Sequence, residues 1–99
     1  QASLLRYTSL VGHGRSRVLF CNPAGVARER MTVRLSYDEG ASWPVSRLLW
    51  EGPAAYSCLG VLPGMMIGCL YERGVERPYE TITLAVLDLA WLTDGEDGV

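Results

Sequence analysis

Hydrophobic and polar positions along this chain alternate in short runs, and the runs are separated by turn-forming residues. Apolar, aromatic and β-branched residues cluster near Ser3–Thr8, Arg17–Asn22, Met31–Tyr37, Val45–Trp50, Ser57–Leu62, Met66–Glu72 and Thr81–Leu89, which predicts seven strands. The intervening GHGR, NPAG, DEGAS, EGPAA, LPGM and RGVERP each supply Gly, Pro, Asn or Asp, residues suited to dihedrals outside the strand region. No window repeats apolar residues at i, i+3, i+4 and i+7, so the chain reads as all-β. Strands on short links suit either a sandwich or stacked four-stranded blades, and patterning alone does not separate the two. Four strands complete one blade and leave three for the next. Such a piece in isolation exposes apolar edges and a bare face, so the chain reads as part of something larger.

Composition narrows the function classes. Ninety-nine residues build one small domain with a modest core, and a hydrophobic share of 48% excludes a disordered tail. A formal net charge of -2 gives no reason to expect nucleic acid or an anionic membrane as partner. All nine basic residues are arginines, and single arginines among them are candidate anion forks. Cys21, Cys58 and Cys69 leave at least one thiol unpaired, and without a CxxC or Cys/His cluster no structural zinc site is expected. Cys58 and Cys69 fall on neighbouring predicted strands, where a cross-strand pair and buried free thiols are both open. The longest nearly apolar run, Ile82 to Leu92, is interrupted by Asp88 and is too short to span a bilayer. The chain opens on Gln1 directly into an apparent strand, which reads as a missing N-terminus. Residues 1–93 form the structured segment on this reading, and residues 94–99 form a polar tail expected to fray.

One hairpin has a sharp motif. Ser36-Tyr37-Asp38-Glu39-Gly40-Ala41-Ser42-Trp43 fits the spacing S-x-D-x-G-x-S/T-W. Asp38 is placed to accept hydrogen bonds from its own turn, Gly40 to take a positive φ, and Ser42 to tie its hydroxyl into the loop. Trp43 offers a plate to pack beneath. Asp38 and Glu39 do not suit an acid/base pair, because adjacent strand residues point to opposite faces, and their spacing is not that of an EF-hand calcium loop. The motif resembles the Asp-box of sialidase propellers, where it lies on the outside, away from the sugar.

Further segments extend that resemblance. QASLLRY, SRVLFCNPAG, Arg28 to Arg34 (RERMTVR), GPAAYSCL, IGCLYE and PYETITLA follow in order the closing part of bacterial-type exo-α-sialidases, covering the chain up to Thr93. The resemblance implies a fragment of a six-bladed β-propeller, about one complete blade plus three strands of the next. It also implies site residues. Sialidases hold the substrate carboxylate with three arginines, since a guanidinium offers a rigid bidentate fork that stays charged. Arg28 matches the third of these best, and Arg30, two residues on, competes with it. Arg34, in mid-strand, reads as structural or surface. Tyr56, which follows Arg28 by 28 residues, matches the family's tyrosine nucleophile. The anomeric carbon of a sialoside already bears a carboxylate, so a phenol attacks it without the repulsion a second carboxylate would meet. Glu72 matches a glutamate that braces the first arginine of the triad, while Tyr71 beside it should face the core. His13, in GHG, reads as an exposed loop residue, and Tyr79 and Glu80, in RPYE, are candidates for a rim but receive no role.

The implied function is therefore hydrolysis of terminal sialic acid from glycoproteins, glycolipids or other sialylated glycans. It would proceed with retention through a tyrosyl-enzyme intermediate, without metal or cofactor. The family's first two arginines, its Asp acid/base and the Glu that activates the tyrosine match nothing here, so the fragment alone is expected to be inactive and to work with the remainder of its propeller. A phenol, with an ordinary pKa of about 10, is a poor nucleophile without its base. A trans-sialidase is the near alternative. A non-catalytic Asp-box propeller serving as a carbohydrate-binding or interaction module is the alternative from another class.

Overall fold

Apolar residues at alternate positions set the face each strand turns to the core. In the computed structural model, which describes residues 2–98, Met31, Val33 and Leu35 are fully buried on one strand, and Ile67, Cys69 and Tyr71 are buried on another. Residue 1 of the 1–93 segment and residue 99 of the tail lie outside the described residues. The elements run β1 (Ser3–Thr8), α1 (Leu10–His13), β2 (Arg17–Pro23), β3 (Glu29–Ser36), β4 (Val45–Leu62), a 3-10 turn (Pro63–Met65), β5 (Met66–Arg73), β6 (Thr81–Leu87) and α2 (Leu89–Leu92). Each strand pairs antiparallel with the next, in the order β1-β2-β3-β4-β5-β6.

Six strands replace the expected seven because β4 runs unbroken through EGPAA. Its first half pairs with β3, from Val45 opposite Leu35 to Trp50 opposite Met31 and, past a register shift, Pro53 opposite Glu29. Its second half pairs with β5, from Ala54 opposite Arg73 to Leu62 opposite Met66. Gly52 and Pro53 lie at the changeover, where the absent Pro N–H costs no ladder bond. Residues 3–50 thus form four strands of one sheet and residues 54–87 three strands of the next, joined by one long strand. The core lies between them: Tyr7, Leu19, Cys21, Met31, Val33 and Leu35 meet Ala54, Leu59, Ile67, Cys69, Tyr71 and Leu87. Contacts between the sheets include Ser3 Oγ to Ser57 Oγ at 3.0 Å and the Tyr7 hydroxyl donating to the Met65 carbonyl.

Two expectations are corrected, and the open question of the thiols is resolved. The last strand ends at Leu87, not Leu89, because Asp88 caps α2 by accepting from Trp91 N at 2.7 Å, which turns Leu89 and Leu92 into the core. The tail does not fray before Asp97: that carboxylate takes a bidentate fork from Arg17, with both contacts at 2.8 Å, and accepts from the Tyr37 hydroxyl at 2.6 Å. The close thiol pair is Cys21–Cys69, with sulfurs 3.5 Å apart in the core, rather than Cys58–Cys69. Register puts Leu59, not Cys58, opposite Cys69, so Cys58 faces outward, and all three thiols are free. His13 ends α1 exposed.

Candidate functional site

Three segments distant in sequence meet at one end of the sheets. Arg28 closes the loop between β2 and β3, and its carbonyl accepts from Ala54 N at 2.8 Å, which moors the loop to β4. The Arg28 guanidinium carbon lies 5.9 Å from the centroid of the Tyr56 ring and 5.5 Å from that of Tyr79. Arg30 goes elsewhere. Its φ is +61°, the β3–β4 register shifts between Glu29 and Met31, and its Nη1 donates to both oxygens of Glu51 at 2.7 and 2.8 Å. A bulge re-aims the side chain it carries, and here it sends Arg30 to the surface. Of the two competing arginines, Arg28 is the one beside Tyr56.

Tyr56 stands at a second irregularity. β4 carries one extra residue between Ala54, opposite Arg73, and Ser57, opposite Tyr71. The bulge breaks the inside–outside alternation, so that Ala54 and Ala55 are both fully buried while Tyr56 is 54% exposed. The Tyr56 amide donates to Glu72 Oε1 at 3.3 Å. Glu72 lies near the end of β5, and its neighbour Tyr71 is buried in the core, as alternation requires. Tyr56, Glu72, Ser57, Cys58, Leu70 and Ile82 border a shallow depression of about 230 Å³. A guanidinium, an accessible phenol and a carboxylate therefore share one solvent-facing surface. Among the described residues no three His, Cys, Asp or Glu side chains gather as metal ligands.

The chain is similar in sequence and in fold to proteins named sialidases. The chain is 41% identical over 83 residues to a sialidase of Micromonospora viridifaciens, covering 82% of this chain and 12% of that protein. It is 36% identical over 81 residues to mouse sialidase-4, covering 74% of this chain and 17% of the relative. The solved structure of Hadza microbial sialidase Hz136 superposes with a TM-score of 0.77 at 32% identity, covering 93% of this chain and 18% of that one. The chain is a segment of a sialidase-type propeller. The same fold recurs in the leech intramolecular trans-sialidase, with a TM-score of 0.76 at 19% identity over 95% of this chain and 16% of that one. No protein-family model matches the chain. It spans only 12% to 17% of the length of the curated relatives it matches.

The Asp-box of this sialidase-type segment lies at the far end of β3 from Arg28, roughly 25 Å away at the rise of an extended strand. Ser42 donates to Asp38 through its hydroxyl at 2.6 Å and its amide at 2.8 Å, and the Ser36 hydroxyl donates at 2.8 Å. These bonds, with the Ser42 hydroxyl contributing most, hold the Asp38 carboxyl at about 2, below its ordinary 3.8. Gly40 has φ +91° and donates its amide to Ser36 Oγ at 2.8 Å. Trp43 packs on Phe20, ring centroids 5.7 Å apart. Glu39 pairs with Arg6 at 2.6 Å, which lowers its carboxyl pKa. At the other end Tyr79, which the sequence left without a role, has its ring centroid 5.5 Å from the Arg28 guanidinium carbon. An aromatic in a turn-rich stretch, next to a carboxylate able to hold the turn, was the available signal.

Proposed function

We propose that this chain supplies the nucleophile and one carboxylate-binding arginine of an exo-α-sialidase completed by further blades. The observation that carries the reading is the meeting of Arg28, Tyr56 and Glu72, from the β2–β3 loop, β4 and β5, on one exposed surface. Nothing local in sequence requires these three to meet. Arg28 binds the sialic acid carboxylate, and the Tyr56 oxygen attacks the adjacent anomeric carbon. The glycosidic bond breaks as the Tyr–C2 bond forms, an acid outside this chain protonates the leaving oxygen, and a base glutamate outside it takes the phenolic proton. Water then cleaves the tyrosyl intermediate, and the two inversions give net retention. Glu72 holds the Tyr56 backbone through one oxygen, and on this reading its carboxylate also braces a further arginine of the binding set. Terminal sialic acid on glycoproteins, glycolipids or other glycans is the substrate class.

The experiment uses the full-length protein that carries this segment. Tyr56→Phe keeps the ring and removes the attacking oxygen, so kcat on an aryl α-sialoside falls by at least about a thousandfold while the melting temperature holds. Arg28→Lys replaces a fork by a point charge and chiefly raises KM. Near-normal turnover of the Tyr56→Phe variant refutes the assignment. NMR of the first-formed product separates hydrolysis with retention from transfer to another acceptor.

A further inference from the structure

The loop joining β5 to β6 is irregular yet tied down at each end. Gly74 donates its amide to the Pro53 carbonyl at 3.0 Å, and its own carbonyl accepts from Trp50 Nε1 at 3.2 Å. Glu80 turns its carboxylate back into the loop, where Oε1 accepts from Val75 N at 2.6 Å and Glu76 N at 3.3 Å. Thr81 closes the base, its hydroxyl donating to the Arg73 carbonyl at 3.1 Å. The loop folds so tightly that a Cβ on Gly74 would lie 1.8 Å from the Arg77 carbonyl oxygen. Such a loop presents what it carries in a fixed place, and beside Glu80 it carries Tyr79.

Tyr79 is half exposed, and its ring centroid is 5.5 Å from the Arg28 guanidinium carbon. With Tyr56 at 5.9 Å, two aromatic rings lie near the cation. Both approaches lie within cation–π range. Both loops are moored to the same stretch of β4, Arg28 by its carbonyl to Ala54 and the Tyr79 loop by Gly74 to Pro53. A ring attracts the guanidinium through its positive charge and does not compete for the N–H fork that a carboxylate needs. We propose that Tyr79 is a positioning residue, setting the Arg28 guanidinium for its anionic ligand through its ring. The proposal rests on the reading of Arg28 as a carboxylate binder.

Steady-state kinetics on an aryl α-sialoside, in the full-length protein, test it with Tyr79→Ala, Tyr79→Phe, Arg28→Ala and the Tyr79→Ala/Arg28→Ala double variant. Melting temperatures check that each is folded. Tyr79→Ala is expected to raise KM about three- to tenfold and to leave kcat within about twofold, the size of one cation–π contact. Tyr79→Phe keeps the ring and restores KM to within about twofold of the parent. In the Arg28→Ala background, Tyr79→Ala adds nothing further, because the two residues act as one unit. Unchanged KM in Tyr79→Ala, equal losses in the Ala and Phe variants, or full additivity each overturn the proposal while leaving Arg28 as the binder. An unchanged KM in Arg28→Ala removes the carboxylate-binding reading itself, and this proposal with it.

Discussion

Asp38 illustrates what a single side chain does when nearly all its bonds are local. It accepts from Ser36 and Ser42, the latter through both hydroxyl and amide, so its geometry follows from the spacing of a few neighbouring residues. That is why the hairpin and the turn-capping place of Asp38 were legible in the sequence, although the Ser36 hydroxyl as a partner was not. The carboxylate is exposed, so water can take over when it is removed. Asp38→Ala in the full-length protein is expected to lower the melting temperature by about 2–4 °C. KM on a sialoside should not move, since the hairpin lies at the opposite end of β3 from Arg28. A raised KM at an unchanged melting temperature would place this motif in the binding site. The sequence favours Arg28 over Arg30 on the resemblance alone, because the bulge and the positive φ that set Arg30 apart are ones a non-glycine residue gives no warning of.

β4 is the element that the sequence described least well. Its hydrophobic pattern halts at EGPAA, where a turn was expected, yet the backbone stays extended and changes partner from β3 to β5. Gly and Pro are turn signals because of their dihedrals and missing donors, and a strand passing between two sheets tolerates both for the same reasons. The consecutive buried residues Ala54 and Ala55 follow from the bulge beneath Tyr56, and small side chains there let the two sheets close. Ala55→Leu is therefore expected to destabilise the fold by about 1–3 kcal/mol through overpacking, read by urea unfolding. Since the displaced backbone carries Tyr56, kcat should fall as well. A stable variant with full turnover would mean that this stretch has slack and that the bulge does not hold the phenol in place.

On the scale of the whole molecule, two features stand out, of which the strand count anticipated only the first. The first is a bare face: Leu70, Ile82, Leu84 and Val86 are all between 47% and 71% exposed on β5 and β6, which fits the proposal that further blades cover them. The second is the fastening of the tail across the length of the chain. Arg17 and Asp97 are 80 positions apart, and their side chains are only 7% and 8% exposed. Composition marked residues 94–99 as a fraying tail because a charge looks solvated until its partner is known. The fork from Arg17, then the Tyr37 hydroxyl, holds the Asp97 carboxyl at about 2, below its ordinary 3.8, despite the opposing effect of burial. The same carboxylate, after burial, pushes the Tyr37 phenol up to about 12. A carboxyl with a depressed folded-state pKa stabilises the fold fully above its unfolded value, near 4. That contribution is lost as pH falls from there through about 2, and it amounts to about 2 kcal/mol. Asp97→Asn in the full-length protein should accordingly lower unfolding stability at pH 7, with the gap to the parent narrowing as pH drops from 4 towards 2. Asp38, held at about 2, is present in both proteins, so the difference between parent and variant isolates Asp97. A gap of the same size at pH 7 and pH 2 would mean that the Arg17–Asp97 pair contributes nothing through its charge.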